Sequence, residues 1–289
     1  MQQQIELFTT LEKRNHHVCD DNIQFDEPTH KYTIIDDSET KYTSVTTWNH
    51  YHFPQFDSES IARSIVNNPN KKPMYKNMTV EEIKDKWNKD GVTASSAGTA
   101  MHYNIECFMN LGDVNKEYTH SELYDLWMKT HTKEEIDEAS VEWKYFLDFV
   151  EATPQLIPYR TEWSIYDKKL KLAGQIDMVY FNPDDGTISI YDWKRAKDIQ
   201  MSNNFNKFAT NSTISHIPDT NFWHYSLQLN TYKAILERNY GLKVRELFLV
   251  KLHPNNKFET FEIIKCADLT GEINELFNDR EKIISKQKR

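Results

Sequence analysis

Residues 160–193 constrain the fold more tightly than any other stretch. Three apolar, β-branched or aromatic runs, Arg160–Tyr166, Leu172–Phe181 and Thr187–Trp193, are joined by short polar connections. The second connection, Asn182-Pro-Asp-Asp-Gly186, carries the residues a tight turn needs, proline for a fixed φ and glycine for a positive one. Runs joined this closely pair antiparallel, because a parallel return needs a crossover of a dozen or more residues. The sequence therefore predicts a three-strand antiparallel sheet. Side chains alternate between the faces of a strand, so Asp192 and Lys194 project to one side, and the hairpin folds Asp177 back beside them.

Two carboxylates brought together repel each other. A divalent cation relieves that repulsion and supplies a Lewis acid for a phosphoryl oxygen, and an ammonium group fixed alongside stabilises charge developing on phosphate. Oxygen ligands of this kind favour magnesium or manganese. A lone Asp-x-Lys also describes an ordinary ion pair at a strand end, so the reading depends on what else converges there.

Three further fragments are candidates. In Gly98-Thr-Ala-Met-His102-Tyr-Asn-Ile-Glu106 the glycine, the imidazole and the carboxylate are four apart and share a helix face beside the apolar stripe of Met101, Ile105 and Phe108. His102 can offer a neutral nitrogen to a metal, with Glu106 orienting it; the same spacing also suits a simple pair one turn apart. Gln228 and Tyr232 form another such pair, with His224 one turn earlier, and these can bond phosphate, base or an active-site carboxylate, or merely edge an amphipathic helix. Glu162 precedes Asp177 by one strand and is either an auxiliary acid near the metals or an exposed strand residue.

Elsewhere the chain reads as follows. Residues 1–20 are polar and unpatterned, a flexible or loosely docked tail. Ile23–Phe25, Lys31–Ile35 and Tyr42–Val45 suggest an antiparallel β meander. Ser58–Val66 is helical, and Thr79-Val-Glu-Glu82 is a capping box opening a helix that Gly91 ends, before Gly98 starts the next. One helix spans Lys133–Val150, and residues 201–218 form a mobile loop. Thr220–Tyr240 is helical and closed by Gly241, strands occupy Glu246–Lys251 and Phe258–Ile264, and Leu269–Ile284 is a last amphipathic helix.

The net charge of -9 opposes a nucleic-acid partner globally, since phosphate binding requires Lys and Arg to displace counterions. Binding is local, however, and basic clusters occur at Lys168, Lys169 and Lys171, at Arg195 and Lys197, and from Lys282 to Arg289. Cys19, Cys107 and Cys266 lie far apart with no Cys-x-x-Cys pair, which argues against a structural zinc, an iron–sulfur cluster or a disulfide framework. The polar N-terminus lacks the pattern of a signal or transit peptide, and no apolar run approaches membrane-spanning length. The expectation is a soluble intracellular protein of cytoplasm or nucleus with no membrane partner.

Taken in order, the fragments resemble the PD-(D/E)XK phosphodiesterase superfamily, and within it the RecB-like nucleases, whose pattern runs GxxxHxxxE, GxxD, DxK, QxxxY. The matching positions are Gly98, His102 and Glu106; Gly174 and Asp177; Asp192 and Lys194; Gln228 and Tyr232. The N-terminal FDEPTHKYTI and KYTSVTTW stretches also look like those of mitochondrial genome maintenance exonucleases and related proteins of large DNA viruses. The resemblance implies an α/β restriction-endonuclase-like fold: a mixed central sheet flanked by helices, with an N-terminal β meander and a helical insertion. It divides the chain into a tail (1–20), an accessory region (21–97) and a nuclease core (98–289) with an insertion at 113–155, the helices of 58–97 and 113–155 arching over the substrate. It further implies that His102, Asp177, Asp192 and the Trp193 carbonyl hold one or two Mg2+ or Mn2+ ions. Lys194, Asp177 and Asp192 would be catalytic, Glu106 and Glu162 auxiliary, and Gln228, Tyr232 and Arg195 contacts to nucleic acid. Several relatives carry four cysteines for an iron–sulfur cluster, a set missing here, so none is expected. The implied activity is hydrolysis of DNA phosphodiesters, by an exonuclease acting on single strands or free ends. A manganese-preferring RNA endonuclease, a non-catalytic nucleic-acid binder on the same fold and an interaction protein are the alternatives.

Overall fold

The computed structural model describes residues 9–287. The three predicted strands form its centre: β4 (Ile157–Asp167) pairs antiparallel with β5 (Leu172–Asn182), and β5 with β6 (Thr187–Lys194). β6 continues parallel to β7 (Val244–Lys251), and β7 antiparallel to β8 (Glu262–Lys265), while the short β3 (Thr43–Ser44) adds parallel to the start of β5. The result is a mixed six-stranded sheet. β4 accompanies β5 from residue 172 to 181, so β3, at 172–173, and β6, at 178–182, must share the other edge. Between them the edge of β5 at residues 174–177 is left without a ladder partner.

Helices cover both faces. On one lie α2 (Val45–His50), α8 (Asn221–Asn239) and α9 (Thr270–Gln287), whose Trp48, Leu227, Ile235 and Phe277 bury against Ile176, Ile190 and Leu249. On the other, α4 (Val80–Met109), α5 (His120–Trp127) and α7 (Val141–Ala152) bring Ile105, Phe108, Leu123, Phe146 and Phe149 onto Met178, Tyr180 and Trp193. This is the mixed α/β sandwich expected from the alternation of strands and amphipathic helices. Gly241 adopts φ +65° just past α8, as a helix-closing glycine should.

Several local expectations are corrected. The capping box at Thr79 and Glu82 forms, but Gly91 does not end the helix and Gly98 does not begin one: α4 is a single helix of 30 residues. An interior glycine costs only about 1 kcal/mol against alanine. Neither glycine has a positive φ, and Ile83 at one end and Ile105 and Phe108 at the other are buried, anchoring the helix across its exposed middle. The segment 133–150 divides into α6 (Lys133–Glu138) and α7, because Ser140 turns its hydroxyl to the Trp143 amide and caps the second piece.

The β meander is only a hairpin, β1 (Ile23–Asp26) with β2 (Lys31–Ile34); the third run joins the central sheet as β3, since Tyr42 and Ile34 bury against Tyr166 and Ala173. The tail expected over 1–20 is docked from residue 9 onward, residues 1–8 lying outside the described part. There α1 (Thr10–Arg14) buries Leu11, the Leu11 amide bonds the Asn110 side chain, and Asp20 pairs with buried Arg160 at 2.6 Å. The 201–218 loop is likewise held, with Ala209, Ile214 and Ile217 in the core. The insertion 113–155 does not arch away from the body either, as α5 and α7 supply much of one core face. α3 (Ser58–Asn67) packs along the first half of α4, with Phe56, Tyr75 and Trp87 between them.

Candidate active site

The gap in the edge of β5 is where the predicted residues meet. Register on either side, Thr161 opposite Met178 and Trp163 opposite Ile176, places Glu162 across from Asp177. Both strands are irregular there. Glu162 has φ +45°, a left-handed conformation rare for a side chain of its size, and Ile176 and Val179, three residues apart, enter the same core while Met178 enters the other. The alternation therefore slips at Asp177. Its carbonyl takes the Thr161 hydroxyl at 2.9 Å, and its Oδ2 accepts the Trp193 amide at 3.0 Å, replacing the missing ladder bond.

From α4, His102 reaches over the two acids, with Nδ1 3.4 Å from Glu162 Oε1 and 3.7 Å from Asp177 Oδ2. Ligand atoms of His102, Glu162 and Asp177 lie within 4.8 Å of one another, the spacing a single cation could bridge. Burial alone would lower the His102 pKa, but Asp177 and then Glu162 outweigh it and hold it up at about 9. Burial raises the Asp177 carboxyl against the pull of His102 and Lys194. Glu106, one turn along α4, is pushed up to about 7 by burial and by the charge of Glu162.

Asp192 is not in that trio. It is buried beside Lys194, whose ammonium touches its Oδ2, yet this oxygen makes no hydrogen bond of normal geometry. Burial first, and then Asp177, raise Asp192 to about 6 despite Lys194. Lys194 itself is raised, since Asp192 and Asp177 outweigh its burial, and its ammonium lies 4.5 Å from the centre of the Tyr225 ring. An excess of buried carboxylate over its cationic partners, together with an imidazole, is a donor set suited to a hard divalent cation.

The remaining candidates separate. Tyr232 is buried, and its hydroxyl accepts from Gln228 Nε2 at 3.0 Å. A Cβ at position 174 would sit 2.7 Å from Tyr232 Cε1, which explains the glycine before Asp177. Trp193 contributes its backbone, the ring being in the core. Arg195 is held by Glu142 on α7 at 2.6 Å and His224 by Asp219 at 2.9 Å, and neither lines the cavity that the acidic trio borders.

The trio forms one end of a cavity of about 730 Å³ walled by Ser95, Gly98, Thr99 and Tyr103 of α4 and by Phe25, Glu27 and His30 of the β1–β2 hairpin. Added Cβ atoms at Gly98 would meet nothing, so this glycine borders open space. Sequence reasoning missed the hairpin wall, for which no local pattern exists. It also missed Gln175, whose signal was present: it shares the strand face of Asp177 two residues on, and it bonds the Glu162 carbonyl at 3.2 Å.

No curated protein matches the chain. A family model does, that of the PD-(D/E)XK nuclease superfamily, over residues 75–286, which takes in α4, the whole of β4 to β8 and every member of the trio. With most of its length matched and its sheet and helices arranged as that fold requires, the chain belongs to the PD-(D/E)XK nuclease superfamily.

Proposed function

We propose that the protein is a divalent-metal-dependent nuclease of the RecB-like branch that hydrolyses DNA, working as an exonuclease on single strands or free ends. One observation carries this reading: His102, Glu162 and Asp177 converge beside the buried Asp192–Lys194 pair at the end of an open cavity. Magnesium or manganese, bound there, supplies a Lewis acid for the scissile phosphate and eases ionisation of water.

The side chains divide the remaining work. Asp177 and Glu162, with His102, hold the ion, Asp192 and the Trp193 carbonyl completing the set from β6. Lys194 is fixed by Asp192 and by the Tyr225 ring, so its charge stands ready for the developing phosphate charge without rearrangement. Glu106, carrying a proton more readily than an ordinary carboxylate, steadies His102 from the next turn. Gln228 and Tyr232 brace the start of β5 through Gly174. Tyr103, exposed at the cavity wall, offers a ring on which an unpaired base stacks, which favours a single strand.

The test is cleavage of linear and circular single-stranded DNA, duplex DNA and RNA with Mg2+ or Mn2+, beside Asp177→Ala and Lys194→Ala. Linear single strands should be degraded in a metal-dependent way, circles spared and both variants inactive. Inactivity on every substrate, or variants as active as the parent, would refute the reading. The imidazole in the trio suits manganese, so preferential RNA cleavage would select an RNA nuclease instead.

A further inference from the structure

A second cavity of about 650 Å³ opens between the β2–β3 connection, α2 and the C-terminal half of α9. It lies by Lys171 at the start of β5, roughly 20 Å along that strand from Asp177. Lys41, Lys171 and Arg280 reach it from three different elements, with Trp48, Leu276 and Ile283 providing an apolar wall. Its two carboxylates are already engaged: Asp37 by Lys171, Thr40 and Tyr42, and Asp279 by Lys282 and Thr213. Among the described residues neither Lys41 nor Arg280 has a carboxylate partner. The Arg280 guanidinium bonds the Leu170 and Lys171 carbonyls and the Thr43 hydroxyl, which aligns it at the cavity wall without neutralising it.

His52 is the remaining titratable group of the wall. It is buried, at 8% exposure, and lines the same cavity. Its Nδ1 accepts from Asn211 Nδ2 at 3.1 Å, so the neutral ring carries its hydrogen on Nε2, and Nε2 has no partner. The Nε2 atom is shielded from solvent and the ring stands edge-on to Trp48, with centroids 4.9 Å apart, so His52 shapes the wall while Lys41 and Arg280 carry the charge an anion would meet.

We propose that this cavity binds a nucleotide, its phosphate held by Lys41 and Arg280 and its base laid against the exposed Ile283 at the rim. The volume lies within the range of small-ligand sites. The phosphate can belong to a strand passing beyond the catalytic groove or to a free mononucleotide, and the chemistry of recognition is the same. The site stands apart from the cleavage chemistry, so it can be tested with metal chelated.

Calorimetric titration in EDTA with thymidine 5′-monophosphate, thymidine and a 20-nucleotide oligothymidylate separates the cases. The monophosphate should bind at least tenfold more tightly than thymidine. Lys41→Glu, an exposed residue with no structural bonds, should weaken it by at least tenfold, while His102→Ala in the catalytic groove leaves it unchanged. Displacement of the monophosphate by the oligonucleotide, with a salt dependence reduced by about one unit in Lys41→Glu, assigns the site to a strand; a monophosphate that the oligonucleotide cannot displace assigns it to a free nucleotide. No binding of the monophosphate, or binding lost in His102→Ala and kept in Lys41→Glu, overturns the proposal.

Discussion

Glu162 stands across the β4–β5 pair from Asp177, and its left-handed backbone at φ +45° sets its carboxylate within 3.4 Å of the imidazole that also faces Asp177. A strand residue with an ordinary conformation would not need that geometry. Holding a non-glycine residue there costs on the order of 1 kcal/mol or more, which the surrounding sheet must offset.

Replacing Glu162 separates these two roles. Glu162→Gln keeps the shape but removes a ligand charge, so divalent-ion affinity should fall about 10- to 100-fold with little change in melting temperature. Glu162→Gly should lose the same affinity while relieving the backbone strain. Calorimetric titration of Mn2+ and thermal melts of both variants check this; unchanged Mn2+ affinity would remove Glu162 from the site.

Lys194 and Asp192 are buried together, so removing one strands the other. Lys194→Met should reduce kcat by about 100-fold or more and destabilise the fold by about 3 kcal/mol, because the Asp192 charge is left uncompensated. The double variant Asp192→Asn with Lys194→Met should recover most of the stability and none of the activity. Urea unfolding of Lys194→Met, Asp192→Asn and the double variant gives the coupling; additive losses would show that the pair is not a unit.

Gly174→Ala should cost about 1–3 kcal/mol, since the new methyl meets a buried ring that has nowhere to move. Its nearest atom would be Tyr232 Cε1 at 2.7 Å, with Val45 Cγ2 at 3.2 Å behind it. The added cost should shrink when the substitution is made in a Tyr232→Leu background. A cost equal in both backgrounds, measured by denaturant midpoints, would place the clash elsewhere.

His120 controls part of the acid sensitivity. It is fully buried, bonded to Thr153 at 3.0 Å and to the Tyr180 hydroxyl at 2.9 Å, and burial lowers its pKa to about 3. In the unfolded chain it titrates near the ordinary histidine value of about 6.5. Between those values the unfolded state binds a proton that the folded state refuses, so stability falls as pH drops below about 6.5, by up to about 1.4 kcal/mol per unit. Above that pH the group contributes no dependence. Unfolding free energies from pH 7.5 to 4.5 should show a shallower slope in His120→Gln than in the parent; equal slopes would mean that His120 is not the group responsible.

The sequence by itself determined the central hairpins and the chemistry attached to them. Period-two alternation and the Asn182–Gly186 turn put Asp192 and Lys194 on one face, and the structure pairs them there. Four-residue spacing set His102 and Glu106 on one side of α4. These are local rules, and they held because neighbouring residues enforce them. What tertiary structure alone decided involves contacts between distant segments. It kept α4 whole through Gly91 and Gly98, since burial of Ile83 and Ile105 at its two ends outweighs two weak glycine penalties. It drew Thr43–Ser44 into the sheet and docked Leu11 on the core. Above all it brought Glu162 into the acidic trio, because only the pairing of β4 with β5, and the slip they share, turns a strand glutamate toward a helix histidine 60 residues away.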